Sequence, residues 1–168
     1  RLGHAAVVFD GKIWLFGGDD MSTNVNSEVW STEDGVTWTQ ATAAAPWSPR
    51  IGFCALVHNQ QMWILGGLVI DSGTETYQDV NDVWTSTDGV TWNQVSSVSP
   101  WQAREFFGAV SLGGEMFVMG GFADAGAAVK AGESHLNDVW RSADGVAWTE
   151  VTAAAPWAGR SAPACAVH

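Results

Sequence analysis

Six landmarks recur in one order three times along this chain, and nothing else in the sequence restricts its fold so tightly. An arginine stands at Arg1, Arg50, Arg104 and Arg160. A glycine pair follows at Gly17-Gly18, Gly66-Gly67 and Gly120-Gly121, then Val29-Trp30, Val83-Trp84 and Val139-Trp140. Next come Asp34, Asp88 and Asp144, each heading an Asp-Gly-Val triplet, then Trp38, Trp92 and Trp148, and last Pro46-Trp47, Pro100-Trp101 and Pro156-Trp157. A period of about 50 residues marks stacked units that bury their apolar faces only against one another.

Each unit reads as four short strands. The first covers residues 4–9, 53–58 and 107–112, and the second 12–17, 61–66 and 115–120. The third surrounds the Val-Trp pair and the fourth the tryptophan after the Asp-Gly turn. The runs are short, β-branched and aromatic, with turn residues between them. Asp10-Gly11 and Gly113-Gly114 suit tight hairpins, because glycine accepts positive φ. No 3.6-residue apolar period marks a helix. Four antiparallel strands per unit predict a blade of a β-propeller. The expected fold class is therefore all-β: three four-stranded blades, at about 1–49, 50–103 and 104–159, with residues 160–168 repeating the first strand of a fourth.

Composition narrows the partners. The formal net charge is −11. Such a surface argues against nucleic acid and anionic membranes, whose phosphates it repels, and suits neutral sugars, cations or basic proteins. No run of 18 apolar residues exists to span a bilayer. Three blades do not close a ring, since propellers use four to eight. With Arg1 at its start and an apolar alternation at its end, the chain reads as a piece of a larger propeller of six or seven blades, or else as a half that pairs with a second copy.

The order Arg-x-Gly, two strands ending in Gly-Gly, a long loop, Asn-Asp-Val-Trp, a turn and Trp resembles the kelch repeat. Asn81-Asp82-Val83-Trp84 and Asn137-Asp138-Val139-Trp140 carry the likeness best, and Ser27-Glu28-Val29-Trp30 less well. The segment from Ser31 to Trp38 is also similar to the Asp box of sialidase-type propellers, with its Asp one place later. In that family the box is a structural hairpin.

Alternating strands put residues 18–27, 67–81 and 121–137 on one face as long loops of unrelated sequence, together with the Pro-Trp and Arg positions. Long loops on a rigid scaffold are where binding sites are built. The expected function is recognition of a protein or glycan on that face, with Arg50, Arg104, Arg1 and Arg160, Trp47 and Trp101, Tyr77 and His135 as candidate contacts. The kelch resemblance implies arginines at a pocket mouth that binds acidic peptides. The other reading pairs each arginine with an acid of a neighbouring blade. Trp47 and Trp101 either stack sugar rings or pack the core. The remaining strand tryptophans, Trp38 among them, read as blade-to-blade core.

No catalytic set emerges. His4, His58, His135 and His168 do not recur together, and His58 reads as an ordinary edge residue. The acidic loops lack spaced calcium ligands, and no cofactor is expected. The alternative is a fragment of a propeller enzyme, glycosidase or galactose-oxidase-like, with catalytic groups partly in other blades. Cys54 and Cys165 fall at opposite parity of the same strand type, so they read as free thiols. Scarce lysine and the Asp-box likeness point to an extracellular protein, while two unpaired cysteines point the other way.

Overall fold

A computed structural model describes residues 1–21, 24–71, 73–74, 76–123 and 135–162. Among them every regular element is a strand, and the strands form three antiparallel sheets. The first runs in order β1 (Ala5–Phe9), β2 (Lys12–Asp19), β3 (Val25–Thr32) and β4 (Thr39–Thr42). The second holds a two-residue strand β5 (Arg50–Ile51) and β6 (Cys54–His58), both paired with β7 (Gln61–Asp71), then β8 (Thr76–Ser86) and β9 (Asn93–Ser96). The third is β10 (Gly108–Leu112), β11 (Glu115–Phe122), β12 (His135–Ser142) and β13 (Thr149–Thr152). These are the blades the repeat predicts. The first strand of a fourth, expected at 160–168, falls largely outside the described residues.

The blades meet through two apolar cores of the same design. Trp14, Phe16, Val29 and Trp47 of the first side pack against Phe53, Met62, Ile64 and Trp92 of the second. One blade later the same places are taken by Trp63, Leu65, Val83 and Trp101 against Phe107, Met116, Val118 and Trp148. Trp92 stands edge-on to Trp47 and Phe16, and Trp148 edge-on to Trp101, the arrangement that ring quadrupoles favour. Strand β6 touches β1 on one side and β10 on the other, so the first strands gather at the hub. There a backbone ladder passes from blade to blade: Gly52 N donates to Gly3 O (3.0 Å), Phe106 N to Gly52 O (2.6 Å) and Ala162 N to Phe106 O (2.5 Å).

Each glycine pair makes a bulge, with the register shifting between Phe16 and Gly18, Leu65 and Gly67, and Met119 and Gly121. A Cβ on Gly17 or Gly66 would press within about 3.2 Å of Phe53 or Phe107 of the following blade. The bulge and the bare glycine together let that phenyl ring in.

Two expectations need correction. Residues 67–81 are not a loop: β7 and β8 run on to Asp71 and Thr76, with Ile70 opposite Tyr77. Alternation of apolar and polar residues carries the ladder past the glycines, and β5 extends it by pairing Arg50 with Val69. Trp38, expected in a blade-to-blade core, is 39% exposed among the described residues, where Trp92 and Trp148 are 7% and 9% and pack against the blade before theirs.

Candidate functional site

The arginines that open each blade are the centre of a buried charge cluster. Arg50 Nη1 and Nη2 donate to Asp82 Oδ1 and Oδ2 at 2.6 and 2.9 Å. Its Nη1 also donates to Gly66 O, and its Nε to Ser48 O. Arg104 repeats the set with Asp138 (2.6 and 2.7 Å), Gly120 O and Gln102 O. Each carboxylate takes one more bond, from Trp84 Nε1 (2.7 Å) or Trp140 Nε1 (2.8 Å). The guanidinium of Arg50 lies 6.0 Å from the Trp47 ring centre, and that of Arg104 5.9 Å from Trp101.

Arg50 and Arg104 are no more than 1% exposed, as are Trp47 and Trp101. The structure thus corrects two readings. The arginines pair with an acid of their own blade, not of a neighbour: β5 pairs with β7, and β7 with β8, which carries Asp82 and Trp84, so Arg50 reaches the acid within one sheet. And neither these arginines nor Trp47 and Trp101 reach the surface. The guanidiniums are occupied by their carboxylates and the indoles by core contacts, so direct contact with a ligand is closed to all four.

Arg1 pairs with Glu28 and donates to Gly17 O in the more open version of the same cluster. The Glu28 carboxyl is held below its usual range, chiefly by the Trp30 indole N–H and also by Arg1, against the opposing effect of burial. Arg160 is exposed, lies 5.6 Å from the Trp157 ring centre and donates from Nε to Ala158 O. Among the described residues it is the one arginine without a carboxylate partner.

Tyr77 is 64% exposed on the arm formed by the outer halves of β7 and β8. At the turn of that arm Gly73 N donates to Asp71 Oδ1 (2.9 Å). That bond and those from Thr74 hold the Asp71 carboxyl below its usual range. His135 is exposed at the start of β12, edge-on to Phe122 at 5.5 Å. The residues 124–133 that the sequence places beside it lie outside the described residues. Asp19, Asp20 and Asp71 stand at the same end of the strands, giving this face an acidic character.

The opposite face carries the Asp-Gly hairpins. Asp34 Oδ1 accepts from Val36 N (2.8 Å), Thr37 N (2.7 Å) and Thr32 Oγ1 (3.0 Å). Those bonds, with that from Thr37 N strongest, lower its carboxyl to about 2. Asp144 is lowered the same way, first by Ala147 N, then by Val146 N. At Asp88 burial pushes the carboxyl up, and the N–H groups of Thr91 and Val90 outweigh it, so it too is lowered. In each hairpin the aspartate Oδ1 is engaged by the turn's own N–H and hydroxyl donors, which is the pattern of a structural turn.

His58 was invisible as a special residue. It is buried between blades, with Nε2 and Nδ1 each 2.9 Å from Ala143 O and Ser111 Oγ. A carbonyl only accepts, so Nε2 carries the proton and Nδ1 is free to accept from the serine hydroxyl. Phe9 and Leu112 hold the matching place in the other two blades, and His168 holds it eight residues after Arg160, so the recurrence is only partial and reads as an ordinary strand end. Cys54 Sγ lies 2.9 Å from Phe107 O across the same boundary, and Cys165 is outside the described residues. Among the described residues, no group of three or more His, Cys, Asp or Glu side chains could hold a metal ion, and no helix is long and apolar enough to cross a membrane.

Comparison with known proteins agrees with this geometry. The model of the KLHDC2/KLHL20/DRC7 Kelch-repeats domain matches residues 1–168. Kelch domain-containing protein 3 of Bos taurus is 30% identical over 135 residues, which make up 74% of this chain and 32% of that protein. The Homo sapiens form is 30% identical over 134 residues. Rab9 effector protein with kelch motifs, from Mus musculus, is 32% identical over 115 residues, 67% of this chain and 30% of that protein. The chain spans about a third of the length of these relatives. The solved structure of YjhT superposes with a TM-score of 0.73 at 16% identity, over 96% of this chain and 54% of that one.

Proposed function

The chain belongs to the kelch-repeat propellers, and from that premise we propose that it is a recognition module that binds a protein on the face bearing the β7–β8 arm. The observation that carries this reading is Tyr77, a large aromatic residue left 64% exposed on a long, laterally braced hairpin. Tyrosine on a rigid support is a frequent anchor of protein interfaces, since it brings apolar area and a hydroxyl at little entropic cost. Around it Arg50 and Arg104 are already neutralised within their own blades, and the Asp71 carboxylate lies exposed at the turn of the arm. That charge balance favours a basic partner segment over an acidic peptide. His135 at the matching edge of the third blade lies within the proposed contact area.

A protein is preferred to a glycan for two reasons. Trp47 and Trp101, the candidates for stacking sugar rings, are buried, and one relative is named as a Rab9 effector. The test is site-specific photocrosslinking from position 77, with position 146 on the opposite face as control. Crosslinks to a protein from 77 and none from 146 are expected. Tyr77→Ala should weaken binding of the captured protein at least about tenfold, as loss of an interface anchor does, with the melting temperature unchanged. Equal labelling from both faces, or undiminished binding by Tyr77→Ala, would overturn the assignment.

A further inference from the structure

Four Asp-Gly bonds punctuate the chain, and the fold restrains three of them and leaves the fourth free. Asp-Gly is open to attack by its own backbone, because glycine has no side chain to block the approach of its nitrogen to the aspartyl carboxyl. At Asp34-Gly35, Asp88-Gly89 and Asp144-Gly145 both reacting groups are engaged. Each aspartate Oδ1 accepts two backbone N–H groups at 2.7–2.9 Å. Each glycine N–H donates to a hydroxyl, that of Thr32, Ser86 or Ser142, at 2.9, 2.8 and 2.8 Å.

Asp10-Gly11 is the two-residue loop between β1 and β2, with φ of 49° and 71°. Both residues are exposed. Among the described residues no hydrogen bond engages the Asp10 carboxylate or the Gly11 N–H. Nothing lies within 4 Å of the Cβ position at Gly11. This openness belongs to the place in the blade: Asn59-Gln60, the same loop of the second blade, is exposed with a blade on either side. The third blade has Gly113-Gly114 there, so only the first carries an aspartate in that loop. Asp34-Gly35 separates exposure from restraint. It is exposed too, and Gly35 has equally open surroundings, yet its hydrogen bonds hold it.

We propose that Asp10-Gly11 is a modification site at which the backbone isomerises, the peptide link of Asp10 passing from its α- to its β-carboxyl. The Gly11 nitrogen gives up its proton and bonds to Asp10 Cγ. The bond from Cγ to its hydroxyl breaks, one water leaves, and a cyclic imide remains. Water then opens the imide at the original peptide carbonyl, which leaves Gly11 joined to Cγ and a free α-carboxylate on residue 10. Nothing is oxidised or reduced, and the water lost in the first step is regained in the second. The lowered carboxyls of Asp34, Asp88 and Asp144 act in the protecting sense, since the group that leaves as water is a protonated carboxyl. The product lengthens the loop by one backbone methylene. Phe9, just before it, pairs with Lys12 and accepts the Trp14 indole N–H at 3.0 Å. The Trp14 ring in turn lies on Gly89, so the change reaches the junction of the first two blades.

The test is to age the folded chain at neutral pH and body temperature, and to locate isoaspartate in its peptides by electron-transfer fragmentation. Methyl transfer from labelled S-adenosylmethionine by an isoaspartate-specific carboxyl methyltransferase gives a second readout. Isoaspartate should form at Asp10 at least about tenfold faster than at Asp34, Asp88 or Asp144, where charge-assisted bonds must break before the ring closes. A parallel sample unfolded in urea should show the four sites reacting alike. Asp10→Glu keeps the charge but would need a larger ring, and should remove most of the methyl acceptor from the folded chain. Isoaspartate spread evenly over the four sites of the folded chain would overturn the proposal. So would its absence from Asp10 in the folded chain while the urea sample forms it, or a methyl acceptor undiminished by Asp10→Glu. The same excess at Asp10 in urea would assign the preference to flanking sequence and overturn the role given to the fold.

Discussion

Arg50 and Asp82 surrender their water together, and the cluster holds because every atom that loses a water gains a protein partner. The guanidinium meets both carboxylate oxygens and two carbonyls, and the carboxylate also meets the Trp84 indole. Removing one member strands the other. Arg50→Ala should cost about 3–5 kcal/mol in urea unfolding, the usual range for breaking a buried pair. Arg1→Ala, whose pair is partly exposed, should cost no more than about 1 kcal/mol. Equal losses would contradict the burial argument. The hairpin aspartates act in the acid range. An ordinary Asp titrates near 3.9, and Asp34, Asp88 and Asp144 are all lowered, Asp34 to about 2. Their stabilisation is complete above about pH 4 and drains away as pH falls towards 2. Replacing all three with Asn keeps an oxygen acceptor and removes the titration. The triple variant should lose less stability than the parent between pH 5 and pH 2, as followed by tryptophan fluorescence. The arginine and aspartate recurrences were both plain in the sequence, but not which member of one meets which member of the other. Asp82 lies between Arg50 and Arg104 along the chain, and only the lateral pairing of β5 with β7 and of β7 with β8 decides.

At the scale of strands and turns, the four-strand order of each blade and the tight hairpin at Asp10-Gly11 were readable from spacing and turn chemistry. The hairpin at Asn59-Gln60 was not, since both residues adopt positive φ without a glycine. The β7–β8 arm was missed for a similar reason: the glycine pair reads as the end of a strand, yet here it is only a bulge within one. Blade packing makes a further prediction about glycines of identical sequence context. Gly35 and Gly89 share φ of 75° and 73°, so alanine strains the backbone equally at both, by about 1–2 kcal/mol. At Gly89 the new methyl would also run into the Trp14 ring, whereas at Gly35 it meets nothing. Thermal unfolding of the dilute chain should therefore show Gly89→Ala about 1–3 kcal/mol worse than Gly35→Ala, the usual toll of overpacking. Equal effects would mean that Trp14 does not seat on that hairpin. The same contrast explains Trp38: three tryptophans of one repeat position look alike in sequence, and their burial depends on a neighbour that the repeat itself does not contain.

Across the whole molecule the two kinds of interaction are kept apart. Among the described residues every ion pair joins two members of one blade: Arg1–Glu28 and Lys12–Glu33, Arg50–Asp82, Arg104–Asp138 and Arg141–Glu115. The junctions between blades are aromatic and aliphatic, fastened by a few uncharged hydrogen bonds such as those of His58 and the hub ladder. Contacts confined to nearest neighbours make the stability of such an array a sum of unit and junction contributions. The partition also bears on ancestry. A stretch of DNA encoding one blade carries its own counter-ions and a pair of mutually fitting surfaces, so a tandem duplication inserts a working unit without a compensating change elsewhere. Loops are then free to differ from copy to copy, as the three unlike segments on the Tyr77 face do.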